Sequence, residues 1–154
     1  MASKDTIVLK GKGHFIEGLL DGSSAPLPGQ IVRITNAALV GDLYTYALWT
    51  GSIDGERSEI VVVIEDHLQG KTTSDAYAVS TRFLGYIPAP GDELNVLVAD
   101  TEDAVAIGDK LIVDNGTGKC LETTGTPESE PFVALEAPGT LSDDTLVHVR
   151  YTPN

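Results

Sequence analysis

The chain has 154 residues and one cysteine, and its 23 acidic side chains outnumber 10 basic ones for a net charge of −13. A chain this long buries roughly 70% of its unfolded surface without help from a metal, and the lone Cys120 excludes an internal disulfide framework. The acidic balance disfavours a surface that tracks nucleic-acid phosphates, and the longest strictly apolar run, Ile60–Ile64, is too short to span a bilayer.

Sustained helical spacing of apolar residues is scarce, and short β-branched runs separated by turn residues take its place. In chain order the predicted strands begin with "TIVL" (6–9), "QIVRIT" (30–35) and "LYTYALW" (43–49). "SEIVVVIE" (58–65) is apolar on both faces, as a strand covered on both sides must be. "HLQGKTTSDAY" (67–77) reads as a short helical turn or a long loop, and "AYAVSTRF" (76–83) as the next strand. "GYIPAPGDELNVLVA" (85–99) reads as a rigid turn leading into a core strand, with Asp92 and Glu93 at a wet entrance. "KLIVD" (110–114) and "KCLET" (119–123) flank Asp114-Asn115-Gly116 and form a hairpin, followed by "FVALEA" (132–137). "TLVHVRY" (145–151) alternates, with Val147, Val149 and Tyr151 on one face and His148 and Arg150 on the other.

One pattern recurs without a fixed period. "LPGQIVRI" (27–34), "APGDELNV" (89–96) and "AIGDKLIV" (106–113) each place Gly, then Gln or Asp, ahead of an apolar strand. These are strand entries rather than interdomain linkers. The expected architecture is all-β: a single-domain sandwich or barrel-like fold of short strands. Residues 1–15 form an N-terminal arm or first strand, and 16–154 a single β-rich domain. Met1–Gly13 lacks the charged stretch and apolar run of a secretory signal, so synthesis in a cytosol is expected.

Motifs that carry chemistry fail on inspection. "GKT" (70–72) lacks the upstream glycine of a phosphate loop, since Glu65 stands there. "DNGTG" (114–118) breaks the alternation of a calcium loop, whose twelfth position is Gly125. His14, His67 and His148 are too scattered for a metal pair. Glu65-Asp66-His67 reads as a solvated strand exit, with an acid–base cluster as the alternative. Cys120 reads as a small core residue. No enzyme, cofactor or metal is expected. The aromatics Tyr44, Tyr46, Trp49, Phe83 and Tyr86 are either core or candidates for an oligomer interface.

The block 46–100, with "GYIPAPGDELN", followed by "GDKLIVDNGTGK" and "PFVALEA", resembles the head decoration (cement) proteins of tailed bacteriophages. The resemblance implies a small β-rich virion protein on the outer capsid surface, commonly a trimer. It would bind the major capsid protein and brace it against internal DNA pressure, with no direct nucleic-acid or membrane partner. Capsid-contact candidates are Lys4, Ile7, Leu9, Lys10, Lys12 and Phe15, from which capsid carboxylates or a neighbouring sheet edge could be reached. The alternative is a tail or fibre module binding host glycans through Trp49, Tyr44 and Tyr46.

Overall fold

The computed structural model describes residues 4–50, 59–122 and 131–153. Among them lie thirteen strands: β1 (Val8–Lys10), β2 (His14–Leu20), β3 (Ile31–Ile34), β4 (Thr45–Leu48), β5 (Val61–Val63), β6 (Arg82–Ile87), β7 (Glu93–Val98), β8 (Thr101–Val105), β9 (Lys110–Val113), β10 (Cys120–Glu122), β11 (Phe132–Ala134), β12 (Gly139–Leu141) and β13 (Thr145–Tyr151). A 3-10 turn at His67–Gln69 is the one helical element among the described residues, within the segment expected as turn or loop. The fold is all-β, as the punctuated runs require.

Two five-stranded barrels and a separate two-stranded sheet, β8–β12, contain twelve of the thirteen strands. The first closes in the order β2-β4-β3-β5-β6. The second closes in the order β7-β10-β9-β11-β13, completed by the β13–β7 pairing. In each ring the first and third strands in chain order, β2 with β4 and β7 with β10, run parallel, and every other neighbour is antiparallel. The registers also coincide. Leu20↔Tyr46 corresponds to Val98↔Cys120, Ile34↔Tyr46 to Val113↔Cys120, Val32↔Val61 to Leu111↔Phe132, and Val63↔Gly85 to Ala134↔Val149. The chain therefore builds one barrel topology twice, with different side chains at equivalent positions. β1 lies outside both rings and pairs with the edge of β7.

The recurring strand entry is one turn made three times. Gly29, Gly91 and Gly108 have φ of +91, +92 and +94°, and Gln30, Asp92 and Asp109 each donate N–H to the carbonyl three residues back. The side chain of that same polar residue accepts the N–H of Leu27, Ala89 or Ala106, at 2.6, 2.8 and 2.6 Å. Positive φ at the third position demands glycine, and the polar side chain closes the turn from the other side. Gly29 and Gly108 open equivalent strands, β3 and β9, so the repeat is spatial and needs no sequence period.

Inside the first barrel lie Leu20, Val32, Tyr46, Val61, Val63 and Phe83. The adjoining core takes the interior of the second barrel together with Ile31, Trp49, Ile60, Val62 and Tyr86 from the outer face of the first. β5 supplies both, with Val61 and Val63 pointing inward and Val62 outward. That division explains a run that is apolar on both faces.

Four strands depart from the sequence expectation, among them β8 and β12, which no predicted run covers and which pair as a separate two-stranded sheet. The stretch 76–83 stays looped up to Thr81, since Tyr77 N–H bonds to Pro26 and Ser80 N–H to Asp21, and the strand runs instead from Arg82 to Ile87. β2, "HFIEGLL", went unpredicted because Gly18 occupies an inward position and erases the alternation. Gly18 is required there. A Cβ would meet Phe83 at 2.6 Å and Tyr46 at 2.7 Å, and those two rings pack edge-on at 5.2 Å. The second barrel fills the equivalent layer with Val96, Cys120 and Val147, all buried. One layer is glycine plus two aromatics, the other three mid-sized residues. Cys120 is thus a packing residue, and burial pushes its thiol pKa up.

Candidate interaction surface

Where the two barrels join, Asp92 organises the connections. It is only 4% exposed, so it does not sit at a wet entrance as its position after a turn suggested. Its carboxylate accepts from Lys12 N–H at 2.8 Å, Gly13 N–H at 3.1 Å, Ala89 N–H at 2.8 Å and the Tyr86 hydroxyl at 2.6 Å. Burial by itself raises the Asp92 pKa. The hydrogen bonds from Tyr86, Ala89, Lys12 and Gly13 outweigh it and hold the group below its ordinary value. Burial and the bond to Asp92 push Tyr86 up to about 12, so its hydroxyl remains a donor. The hydroxyl oxygen in turn accepts Gly13 N–H at 2.7 Å. The β1–β2 turn, Gly11-Lys12-Gly13, is pinned at this point.

The predicted contact residues separate into anchors and projections. Ile7 is fully buried, with its N–H donated to Glu65 Oε2 at 3.0 Å and its carbonyl accepting Asn95 N–H at 2.8 Å. Lys4 forms a salt bridge with Glu136, and its carbonyl accepts the Thr73 hydroxyl. Leu9, Lys10, Lys12 and Phe15 are exposed, Phe15 at 67% with its ring 4.9 Å from that of Tyr86. The strand expected to reach a neighbour's sheet edge pairs within its own chain, with β7. Glu65 is buried rather than solvated, bonded to Ile7 and to His67 Nε2 at 2.8 Å, while Asp66 accepts the Gln69 N–H of the 3-10 turn.

The aromatic candidates do not gather on a surface. Tyr46, Trp49, Phe83 and Tyr86 are buried within the chain, and only Tyr44, 53% exposed, offers ring surface to a partner. No group of three or more His, Cys, Asp or Glu side chains arranged to hold a metal occurs among the described residues.

Tyr44 belongs to a feature that sequence reasoning missed. Between β3 and β4 the chain runs out and back through residues 35–44. Thr35 N–H bonds to Thr45, and Val40 and Leu43 bond across a turn at Gly41, whose φ is +65°. This finger exposes Leu39 and Val40 beside Ile34 and Tyr44. The signal lay in "LVGDLY", a Gly-Asp pair between apolar residues. The unbroken apolar run Ala37–Val40 hid it, because it alternates with nothing.

The fold so defined is a fused pair of five-stranded barrels sharing one topology, with an added N-terminal strand and a two-stranded sheet, β8–β12. Among solved structures, the chain is similar to the N base of the head fiber gp8.5 of bacteriophage phi29. The TM-score is 0.54 at 10% identity, over 90% of this chain and 95% of that one. At that identity the likeness is one of fold. No family model matches the chain, and no curated protein sequence does.

Proposed function

We propose that this chain is a structural virion protein that binds the outer surface of an assembled tailed-phage head and stabilises the shell against internal DNA pressure, as a trimer. The observation that carries this reading is the likeness of both barrels, over nearly the whole of each chain, to the base of a phage head fiber. The resemblance of "GYIPAPGDELN" and the segments after it to decoration proteins supports it independently. Its partner is the major capsid protein, met through Leu9, Lys10, Lys12 and Phe15; DNA and membranes are not partners. It is made in the host cytoplasm and is not an enzyme.

A ligand that binds only the assembled lattice stabilises that lattice by mass action. Trimeric display makes the second and third contacts effectively intramolecular. A glycan-binding role is less well supported, since Trp49 and Tyr46 are buried and cannot form a stacking platform.

Purified protein mixed with capsids that lack it tests the reading. The expected outcome is saturable binding and DNA release at a higher temperature, with light scattering reporting a trimer in solution. Absence of binding to every capsid state overturns it.

A further inference from the structure

We infer that one end of the first barrel is the pole that docks on the shell, and that its target is an acidic protein surface carrying an apolar patch. This rests on the capsid reading above and assigns the orientation. β2 runs parallel to β4 and antiparallel to β6, and β3 runs antiparallel to β4. The β1–β2 turn, the β3–β4 finger and the β6–β7 connection therefore all leave from the same end, and β2 and β4 lie side by side in the ring.

Three observations single out this end. The first is charge. Most described cations are engaged: Lys4, Lys119, Arg82 and Arg150 form salt bridges with Glu136, Asp144, Glu17 and Glu93, and Lys110 also has a partner. Of the other four, which form no salt bridge among the described residues, Lys10, Lys12 and Arg33 lie at this end, and only Lys71 lies elsewhere. Among the described residues, the carboxylates of Asp42, Glu59 and Glu93 stand against them, of which Glu93 is engaged by Arg150 and His148, while Asp92 is consumed by its internal bonds. On a chain of net charge −13, this pole carries three of the four described cations without a salt bridge among the described residues, which suits an acidic partner.

The second is apolar exposure. Of nine exposed large apolar side chains among the described residues, six are here: Leu9, Phe15, Ile34, Leu39, Val40 and Tyr44. Large apolar side chains exposed together at one end of a barrel, rather than scattered singly, are a feature of interaction sites.

The third is the comparison between barrels. The second barrel closes the equivalent hairpin with the short polar turn Asp114–Gly118. The barrel topology therefore needs neither the length of the finger nor its leucine and valine.

The test measures binding to capsids lacking the protein, for wild type, Leu39→Asp/Val40→Asp, Lys10→Glu/Lys12→Glu, and Leu68→Asp at the opposite end of the barrel. A further variant replaces residues 35–44 with the Asp-Asn-Gly-Thr-Gly turn of the second barrel, so that a misfolded aspartate variant does not decide the matter. Each pole variant that keeps the wild-type melting temperature is expected to lose at least tenfold in affinity. The lysine variant is also expected to lose much of its salt dependence, and Leu68→Asp to bind normally. Pole variants binding like wild type overturn the inference and leave the capsid reading standing. The same holds if finger variants only reduce the oligomer in light scattering, which makes the finger a contact between copies. A wild type that binds no capsid overturns both.

Discussion

The Tyr86 hydroxyl donates to Asp92 Oδ2 at 2.6 Å, joining the C-terminal end of strand β6 to the entry of β7. Through Asp92 the same contact also holds Lys12 and Gly13, more than seventy residues away in the chain. Removing the carboxylate leaves the N–H groups of Lys12 and Ala89 and the Tyr86 hydroxyl without this acceptor, while Gly13 N–H keeps the Tyr86 oxygen. Asp92→Ala is expected to cost about 3 kcal/mol, which for a chain of this size lowers the melting temperature by roughly 6–12 °C. Tyr86→Phe is expected to cost about 1–2 kcal/mol, because Gly13 and Ala89 keep an acceptor in Asp92. Calorimetry of both variants checks the order; equal and small losses refute the role given to Asp92.

Acid stability follows from the same carboxylate. Asp92 is held below its ordinary 3.8, and Glu93 and Glu136 below 4.5, the former chiefly by Arg150 and the latter by Lys4 and His148 against the opposing effect of burial. The unfolded chain thus binds these protons at higher pH than the folded one. The stabilisation is complete above the ordinary values and is lost as pH falls through the depressed ones. Denaturant midpoints are expected to be flat from neutral pH to about 5 and to fall below about 4. Asp92→Asn should flatten that fall, and a variant with the wild-type slope argues against Asp92 as a contributor.

Gly18 tests the complementary packing of the two barrels. Gly18→Ala is expected to cost roughly 1–3 kcal/mol, since its Cβ would overlap the buried rings of Phe83 and Tyr46. Adding Phe83→Val recreates part of the Val96–Val147 arrangement and should recover stability relative to Gly18→Ala alone. If the double variant is no more stable than the sum of the single effects, the layers are not equivalent.

Glu65 tests how the N-terminal strand is held. Glu65→Ala removes the acceptor of the buried Ile7 N–H. The loss of about 1.5–3 kcal/mol falls locally, on β1. Trypsin cleavage after Lys10 and Lys12 is expected to accelerate tenfold or more while global unfolding shifts less. Cleavage at the wild-type rate means that β1 is held by its pairing with β7 alone.

Much of the local structure was legible in the residues themselves. The three Gly-Gln or Gly-Asp entries, the Asp114–Gly118 hairpin and the alternation of "TLVHVRY" each depend on φ, on side-chain reach or on strand period, which are properties of a few adjacent residues. The all-β class follows from them. What only the tertiary structure decided is everything that needs a distant partner. The closure of two rings with matching registers is set by pairings such as Val98↔Cys120 and Ile16↔Gly85. The burial of Asp92 depends on donors from residues 12 and 13, and that of Tyr46 on the gap left by Gly18. A carboxylate after a turn looks wet in one dimension, and a tyrosine in a strand shows a face but not what covers it. Which face is covered is settled by the strand that arrives from elsewhere in the chain, and that arrival also left the finger uncovered at the cationic end.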